Sequence, residues 1–139
     1  MDGIVLEHLL KGTFALFGKT LNYHWNVTGP NFSEIHLLLD KHYAMLLEGA
    51  DTIAEYMRSL KMIVAPQILS ESESIFLTNP HQSALEMVSD LSLDHEYLIV
   101  YIKEQAVNVT DISLSDLLVE RCREHEKMAW MLRSYEALS

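Results

Sequence analysis

Apolar residues recur every three or four positions over most of the chain, which is the period of amphipathic α-helices. The longest stripes predict four helices, over about residues 3–26, 32–61, 82–107 and 114–137. The expected core-facing residues are Leu10, Phe14, Phe17, Leu21 and His24, then Ile35, Leu39, Leu46, Ile53, Met57 and Leu60, then Ala84, Val88, Leu91, Leu98 and Ile102, and last Leu118, Cys122, Ala129 and Leu132. The pattern therefore predicts an all-α protein.

Turn signals separate the first two helices. The run Thr28-Gly29-Pro30-Asn31 is typical of a tight turn. Either Asn31 or Ser33 could cap the second helix, and Glu34 stands where a capping box with Asn31 would need it. Ser113 is the expected cap of the fourth helix.

The connection between the second and third helices is long and less regular. Pro66 and Pro80 bracket a serine-containing stretch that predicts one short helix inside the connection. Two long helices on each side of such a link favour a four-helix bundle with one crossover.

Composition bounds the class of protein. The chain has 139 residues, of which 49% are apolar, and this length predicts a single domain over residues 1–139. The single cysteine, Cys122, excludes an intrachain disulfide. The first residues lack the pattern of a secretory signal, and no apolar run is long enough to span a bilayer, so we expect a cytoplasmic protein.

Charge argues against nucleic acid as a partner. Twenty acidic residues against ten basic ones give a formal net charge of −10. DNA binding needs cations that neutralise phosphates, and no basic tail is apparent, so we expect no DNA binding. The same negative charge suits a protein that attracts cations.

Two pairs of side chains in the second helix have the spacing of metal ligands. His36 and Asp40, and likewise Asp51 and Glu55, are four residues apart and share a helix face. Imidazole and carboxylate groups are ligands that suit iron, manganese or zinc. Both pairs lie on a second apolar strip of the helix, formed by Leu37, Ala44, Leu47 and Ala54. An apolar face that also carries ligands is what a subunit interface around a metal requires.

The separation of the two pairs predicts a site shared between subunits. At 1.5 Å per residue, Asp40 and Asp51 are roughly 16 Å apart along the helix, so one ion cannot bind both pairs of one chain. An antiparallel second copy, crossing near Met45 and Leu46, would bring His36/Asp40 of one copy to Asp51/Glu55 of the other. Two-fold symmetry would make two identical sites per dimer.

Other polar residues have simpler interpretations. His24 alone is more often a satisfied core histidine than a ligand, and exposed acid pairs are common on helices. Trp25 and Trp130 are interpreted as packing residues, and five further histidines as ordinary polar residues: His8, His42, His81, His95 and His125. Asp111, Asp116 and Glu120 stand where acids favour the helix dipole, although in an oligomer they could line a cation pore.

The chain resembles a known family. The segment LNYHWNVTGPNF, then H-x3-D, then D-x-I-A-E, is similar to the Dps family, the mini-ferritins, as is the final MAWMLRSYEAL. The resemblance covers essentially the whole chain. It implies a ferritin-like four-helix bundle with a short extra helix between the second and third helices, assembled into a hollow dodecamer.

The resemblance also implies a site and an activity. His24, His36 and Asp40 of one subunit would join Asp51 and Glu55 of another in a ferroxidase site at the dimer two-fold, with as many as two irons. The expected reaction is oxidation of Fe(II), usually by hydrogen peroxide and otherwise by oxygen, with Fe(III) mineral stored in the cavity. Acidic pores would admit Fe(II), and Trp25 could quench stray oxidant. Lys61-Met62 stands where the family often has Gly-Gly.

Three alternative functions stay open at this point. The first is a non-catalytic metal binder, for example for zinc, at the same residues. The second is a DNA-compacting protein without useful iron chemistry. The third is a plain four-helix interaction module, which leaves the ligand spacing unexplained.

Overall fold

The computed structural model describes residues 2–135. The chain divides into two compact units, of which the first ends at Ala84. Within the described range the regular structure is entirely helical, which confirms the predicted fold class. The single domain stays a prediction. No helix within residues 2–135 combines the length and the apolar character that a bilayer crossing requires.

The first unit holds three helices, α1 (Asp2–Asn26), α2 (Phe32–Ser59) and the short α3 (Gln67–Ser72). α1 packs against both α2 and α3. The predicted bounds of α1 are confirmed to within one residue, and the predicted start of α2 and the short helix in the connection are confirmed. The turn between α1 and α2 contains Gly29 at φ +105°, a left-handed conformation that glycine adopts without a steric penalty.

The core face of α1 differs from the predicted stripe. Leu10 and His24 are buried as expected, but Phe14, Phe17 and Leu21 are only half-buried. The fully buried face instead runs through Leu6, Leu9, Thr13, Leu16, Thr20 and Tyr23. An apolar count overlooks this face because two of its members are threonines. The hydroxyl of Thr13 donates to the carbonyl of Leu9 at 2.7 Å, which satisfies it inside the helix.

Tyr23 fixes the end of α1. Its ring is fully buried, and its hydroxyl donates to Oε1 of Gln82 at 3.0 Å while accepting from the backbone N–H of Asn79 at 3.1 Å. These bonds tie the last turn of α1 to the segment that precedes the second unit.

Both ends of α2 differ from the predictions made for them. Asn31 occupies the N-cap position, but its side chain makes no capping hydrogen bond, so the predicted capping box is wrong. The helix ends at Ser59, and Leu60 is 45% exposed rather than part of the core. Lys61 then adopts φ 66°, a conformation that costs a residue with a Cβ about 1–2 kcal/mol. The Met62 N–H bonds back to the carbonyl of Met57 at 3.0 Å and closes the helix.

The second unit contains α4 (Ala84–Ala106), which begins at the unit boundary, and α5 (Ile112–Arg133). The predicted core residues of the third and fourth helices are buried, apart from the half-buried Ala84. Asp111 caps α5 by accepting from the Leu114 N–H at 2.9 Å, so the predicted Ser113 cap is wrong. The helix also ends at Arg133, earlier than predicted, and residues 136 and 137 lie outside the described range.

Candidate metal site

The turn between α1 and α2 brings His24 and His36 together. The two imidazole rings stack with centroids 3.8 Å apart and planes 14° from parallel. Nδ1 of His24 lies 2.8 Å from the backbone carbonyl of His36, and Nδ1 of His36 lies 2.7 Å from the backbone carbonyl of His24. Each histidine therefore orients the other through a reciprocal pair of hydrogen bonds.

This exchange fixes the tautomer of both rings. A carbonyl oxygen only accepts, so the proton must sit on Nδ1 in each case. A neutral ring of this tautomer has its lone pair on Nε2, which is the form that binds a metal. A hydrogen bond from the other ring nitrogen is the usual way in which proteins orient a metal-binding histidine. The pair is thus prepared to offer two Nε2 donors.

Asp40 lies one turn after His36 on α2 and is half-buried. The nearby Asp40 carboxylate raises the pKa of the Tyr43 hydroxyl above its ordinary value. The Tyr43 ring meets the His24 ring edge-on, at 5.3 Å between centroids. Phe32 stacks on His36 at 4.9 Å between centroids. Aromatic rings therefore support both histidines.

Asp51 and Glu55 are not brought to this group. Both are exposed on α2, Asp51 about three turns and Glu55 about four turns beyond Asp40. Among residues 2–135, no group of three or more histidine, cysteine, aspartate or glutamate side chains is arranged to hold a metal. The apolar residues between the two ligand pairs are exposed as well: Leu37 at 60% and Leu47 at 47%. One chain thus presents two separate ligand pairs on one largely uncovered face of α2.

The chain was compared with known proteins. A family model described as a ferritin-like domain matches residues 5–137. DNA protection during starvation protein 2 of Bacillus anthracis is 34% identical, and the match covers 94% of this chain and 93% of that protein. An uncharacterized low temperature-induced protein of Nostoc is 35% identical over 94% of this chain and 77% of its own length. A crystal structure of a Dps protein from Bacillus brevis superposes with a TM-score of 0.86 at 30% identity, covering 95% of this chain and 92% of that one.

The chain belongs to the Dps family of ferritin-like proteins. The predicted ferritin-like four-helix bundle is thereby confirmed as its fold class. Dps membership also supports iron storage and protection from oxidative damage as its broad function, and iron as the metal that it handles. Imidazole and carboxylate donors, the groups found on α2 and at the end of α1, are chemically suited to that metal.

The residues of the predicted pore have different environments in this Dps-family chain. Asp111 uses its carboxylate to cap α5. Asp116 is exposed, and Glu120 is exposed with its carboxylate 3.7 Å from Nη1 of Arg121. A role for all three residues in a pore stays a prediction. Trp25 is 65% exposed beside His24, so within one chain it is not the packing residue that was expected. Trp130 is 58% exposed as well.

Sequence reasoning missed several buried groups. Tyr43 was not identified as a neighbour of His24, although its ring lies 5.3 Å from the His24 ring. His42, His95 and His125 are buried, so their interpretation as ordinary polar residues is wrong. Nδ1 of His95 lies 2.8 Å from Nδ1 of His125. These two residues are 30 positions apart on different helices, and no local spacing could have paired them.

Proposed function

We propose that this Dps-family protein is a ferroxidase whose site is shared between two subunits. His24, His36 and Asp40 of one chain and Asp51 and Glu55 of a second chain would bind Fe(II), with as many as two irons per site. The Fe(III) product would be stored inside a hollow homo-oligomer, expected to be a dodecamer. The observation that most supports this proposal is the pair of reciprocal hydrogen bonds between His24 and His36. These bonds use Nδ1 of each ring and leave both Nε2 atoms available as metal donors.

The uncovered face of α2 supports the sharing between subunits. Leu37, Ala44 and Leu47 are exposed along the same face as the carboxylates, and exposed apolar residues in a row are typical of an interface. An antiparallel copy would bury these residues and bring the two ligand pairs together. Burial would also strengthen the attraction between carboxylates and a divalent cation, because the local dielectric constant falls.

The reaction follows from the donors. Carboxylate ligands favour Fe(III) over Fe(II), so binding assists loss of an electron. Hydrogen peroxide, the preferred oxidant in this proposal, accepts two electrons from two Fe(II) ions. Its O–O bond breaks, and two protons convert the oxygens to two waters. Because both electrons arrive together, no hydroxyl radical is released. Glu55 is the expected bridging ligand, and Fe(II) would enter past Asp116 and Glu120.

Removal of two carboxylates tests the activity. The variant Asp51→Asn/Glu55→Gln keeps the shape of both side chains but loses their charge. Anaerobic Fe(II) loading followed by peroxide should give rapid Fe(III) absorbance in the wild type, at about two Fe(II) per peroxide. The variant should form the same particle but lose the fast phase. Glu34→Gln/Glu104→Gln, which changes two exposed acids elsewhere, should behave as the wild type.

Mixed shells test the sharing. The variants His24→Ala/His36→Ala and Asp51→Asn/Glu55→Gln each destroy a different half of the site. If sites are shared at a two-fold interface, random co-assembly restores about a quarter of the sites, because half the dimers are mixed and each holds one intact site. A site built within one chain would give no recovery at all, and that result would rule out the shared arrangement.

The alternative functions give different outcomes in the same assays. A zinc binder would bind cations with the same dependence on His36 and Asp51 but would oxidise Fe(II) no faster than a protein-free control. A DNA-compacting protein would shift DNA in a gel at physiological salt, whereas a net charge of −10 per chain leads us to expect no shift. The cytoplasmic location stays a prediction.

A further inference from the structure

A cleft of about 360 Å³ lies in the first unit, between α1 and the chain that runs from α3 to residue 78. Apolar and polar side chains share its walls, among them Phe14, Leu69, Phe76, Lys19, Asn22 and Ser72. A volume above about 300 Å³, with polar groups set among apolar ones, is typical of small-molecule sites. None of the lining residues belongs to the proposed iron site, so the cleft is a separate feature of the chain.

The two walls of the cleft are tied together on either side of it. Before the lining residues of α1, Nζ of Lys11 lies 2.8 Å from a carboxylate oxygen of Glu71 in α3. After them, the buried hydroxyl of Tyr23 bonds to Gln82 and to the backbone N–H of Asn79. Because α1 is fastened to the facing segment at both ends, the cleft is formed before a ligand arrives. A preformed site lowers the entropic cost of binding.

Lys19 is a buried charge in the wall of this cleft. Its side chain is only 3% exposed, and its Nζ lies 5.8 Å from the centre of the Tyr23 ring and 6.0 Å from the centre of the Phe76 ring. Aromatic rings attract a cation that lies over their faces, so the two rings help to hold the ammonium group in place. An ammonium group has three N–H donors, and Lys19 can therefore bond a ligand alongside its neighbours in the chain.

The charges of the lining favour an anionic ligand. Glu73 is the other ionisable residue of the cleft, and it is exposed to solvent. Water screens an exposed charge much more strongly than a buried one, so the buried Lys19 dominates the potential inside the cleft. A carboxylate pairs with an ammonium group through charge-assisted hydrogen bonds, which are stronger than neutral ones.

Gly18 leaves open space in the wall of the cleft. It lies inside α1 and is exposed, although glycine is less favourable in a helix than any residue except proline. A Cβ at this position would meet no heavy atom of residues 2–135 within 4 Å, apart from its chain neighbours and its own helix backbone. Packing inside the chain therefore does not require glycine here. A close approach of the backbone to a ligand is one use of glycine, and Gly18 lines the cleft.

We infer that this cleft binds a small carboxylic acid with an apolar body, of the aryl or branched aliphatic class. The carboxylate bonds to Lys19, and the apolar body lies against Phe14 and Leu69. The cleft shares no residue with the proposed iron ligands, so this inference goes beyond the ferroxidase proposal and does not depend on it.

Binding is tested by isothermal titration of the assembled full-length protein with phenylacetate. The affinity expected for so small a ligand is weak, with a Kd of about 1 mM. Two compounds of similar shape separate the effect of charge from that of shape: phenylacetamide is neutral, and phenylethylamine is a cation. Phenylacetate should bind about 10-fold more tightly than either, because a hydrogen bond to a charged group contributes more than a neutral one.

Two variants locate the bound acid. Lys19→Met removes the ammonium group, so phenylacetate should bind about 10-fold more weakly and lose its advantage over phenylacetamide. Gly18→Leu fills the cleft from an exposed helix position that has space for a side chain, and it should abolish binding. Glu104→Leu, which places the same side chain on an exposed position of α4, should bind as the wild type does. Thermal melts show which variants are folded, and Gly18→Leu decides the question if Lys19→Met is not.

Three results would overturn the inference. The first is no saturable binding of phenylacetate to the wild type, which is the result expected if a neighbouring subunit covers the cleft. The second is equal binding of phenylacetate and phenylacetamide, which would show that Lys19 does not recognise a carboxylate. The third is unchanged binding in Gly18→Leu, which would place the acid elsewhere on the protein.

Discussion

Two pairs of histidines in this chain are built in opposite ways. His24 and His36 each bond through Nδ1 to the other's backbone carbonyl, so each neutral ring keeps its lone pair on Nε2. His95 and His125 bond directly through their Nδ1 atoms and are fully buried. Because one Nδ1 must donate and the other accept, the second pair carries opposite tautomers. Two imidazole rings that lie close together therefore do not by themselves make a metal site. What matters is whether the hydrogen bond at Nδ1 leaves Nε2 with a lone pair for a metal.

The electrostatic surroundings separate the pairs further. Burial, and secondarily the positive charge of Arg121, lower the pKa of His125 to about 3. Arg121 is itself buried in α5. A cation added to this pair would meet both the desolvation cost and the charge of Arg121. The first pair has instead an acidic residue, Asp40, one helical turn after His36, and a negative charge nearby favours a cation. We therefore propose metal binding for the first pair and a structural role for the second.

The largest expected difference between the pairs is in metal affinity. His36→Ala removes a direct donor and the ring on which Phe32 stacks, so Fe(II) binding should weaken by about 100-fold or more, beyond the usual loss of an outer partner. His125→Leu should leave Fe(II) binding unchanged. Anaerobic Fe(II) titration of both variants measures the two affinities. Comparable losses of affinity in the two variants would contradict the proposal that only the first pair binds metal.

Acid should act mainly on the buried pair. The pKa of His125 is about 3 in the fold against 6.5 for an unperturbed histidine. The unfolded chain therefore takes up a proton first, and stability is lost as the pH falls from 6.5 toward 3. Between pH 7 and 4.5 this amounts to roughly 2–3 kcal/mol per subunit.

Urea unfolding at both pH values checks this acid effect. His125→Leu should lose less stability between pH 7 and 4.5 than the wild type, since it lacks the group. His81→Gln, which changes an exposed histidine, serves as the control. Equal losses in the wild type and His125→Leu would show that His125 does not contribute to acid sensitivity.

The smallest expected effect concerns the hydrogen bond inside the buried pair. His125→Leu leaves the Nδ1 of His95 without this partner and should cost about 1–3 kcal/mol of unfolding free energy. His95→Leu/His125→Leu removes both polar groups and should cost less than the sum of the two single variants. Denaturant unfolding at pH 7 gives the three values. If the two single losses of stability add up to the loss in the double variant, the hydrogen bond between His95 and His125 at 2.8 Å contributes no measurable coupling energy.

Apolar periodicity and residue spacing predict the helices and the chemistry of the candidate ligands. The positions of α1, α2 and α4 follow from apolar periodicity, which is a local property, although the end of α2 lies two residues earlier than predicted. The spacing of His36, Asp40, Asp51 and Glu55 follows from helical geometry in the same way. The family motifs added His24. The cap of α5 was misassigned because Asp111 and Ser113 are both good capping residues, and only the backbone conformation selects between them.

How distant side chains meet depends on the packing of the helices in three dimensions. The exchange of hydrogen bonds between His24 and His36 depends on a turn at Gly29 that reverses the chain, and the bond between His95 and His125 joins two helices across 30 positions. The environment of Tyr43 depends likewise on rings from α1. Periodicity states which residues share a face of one helix. It does not state which residue of another helix faces them, because that depends on the packing of all the side chains together.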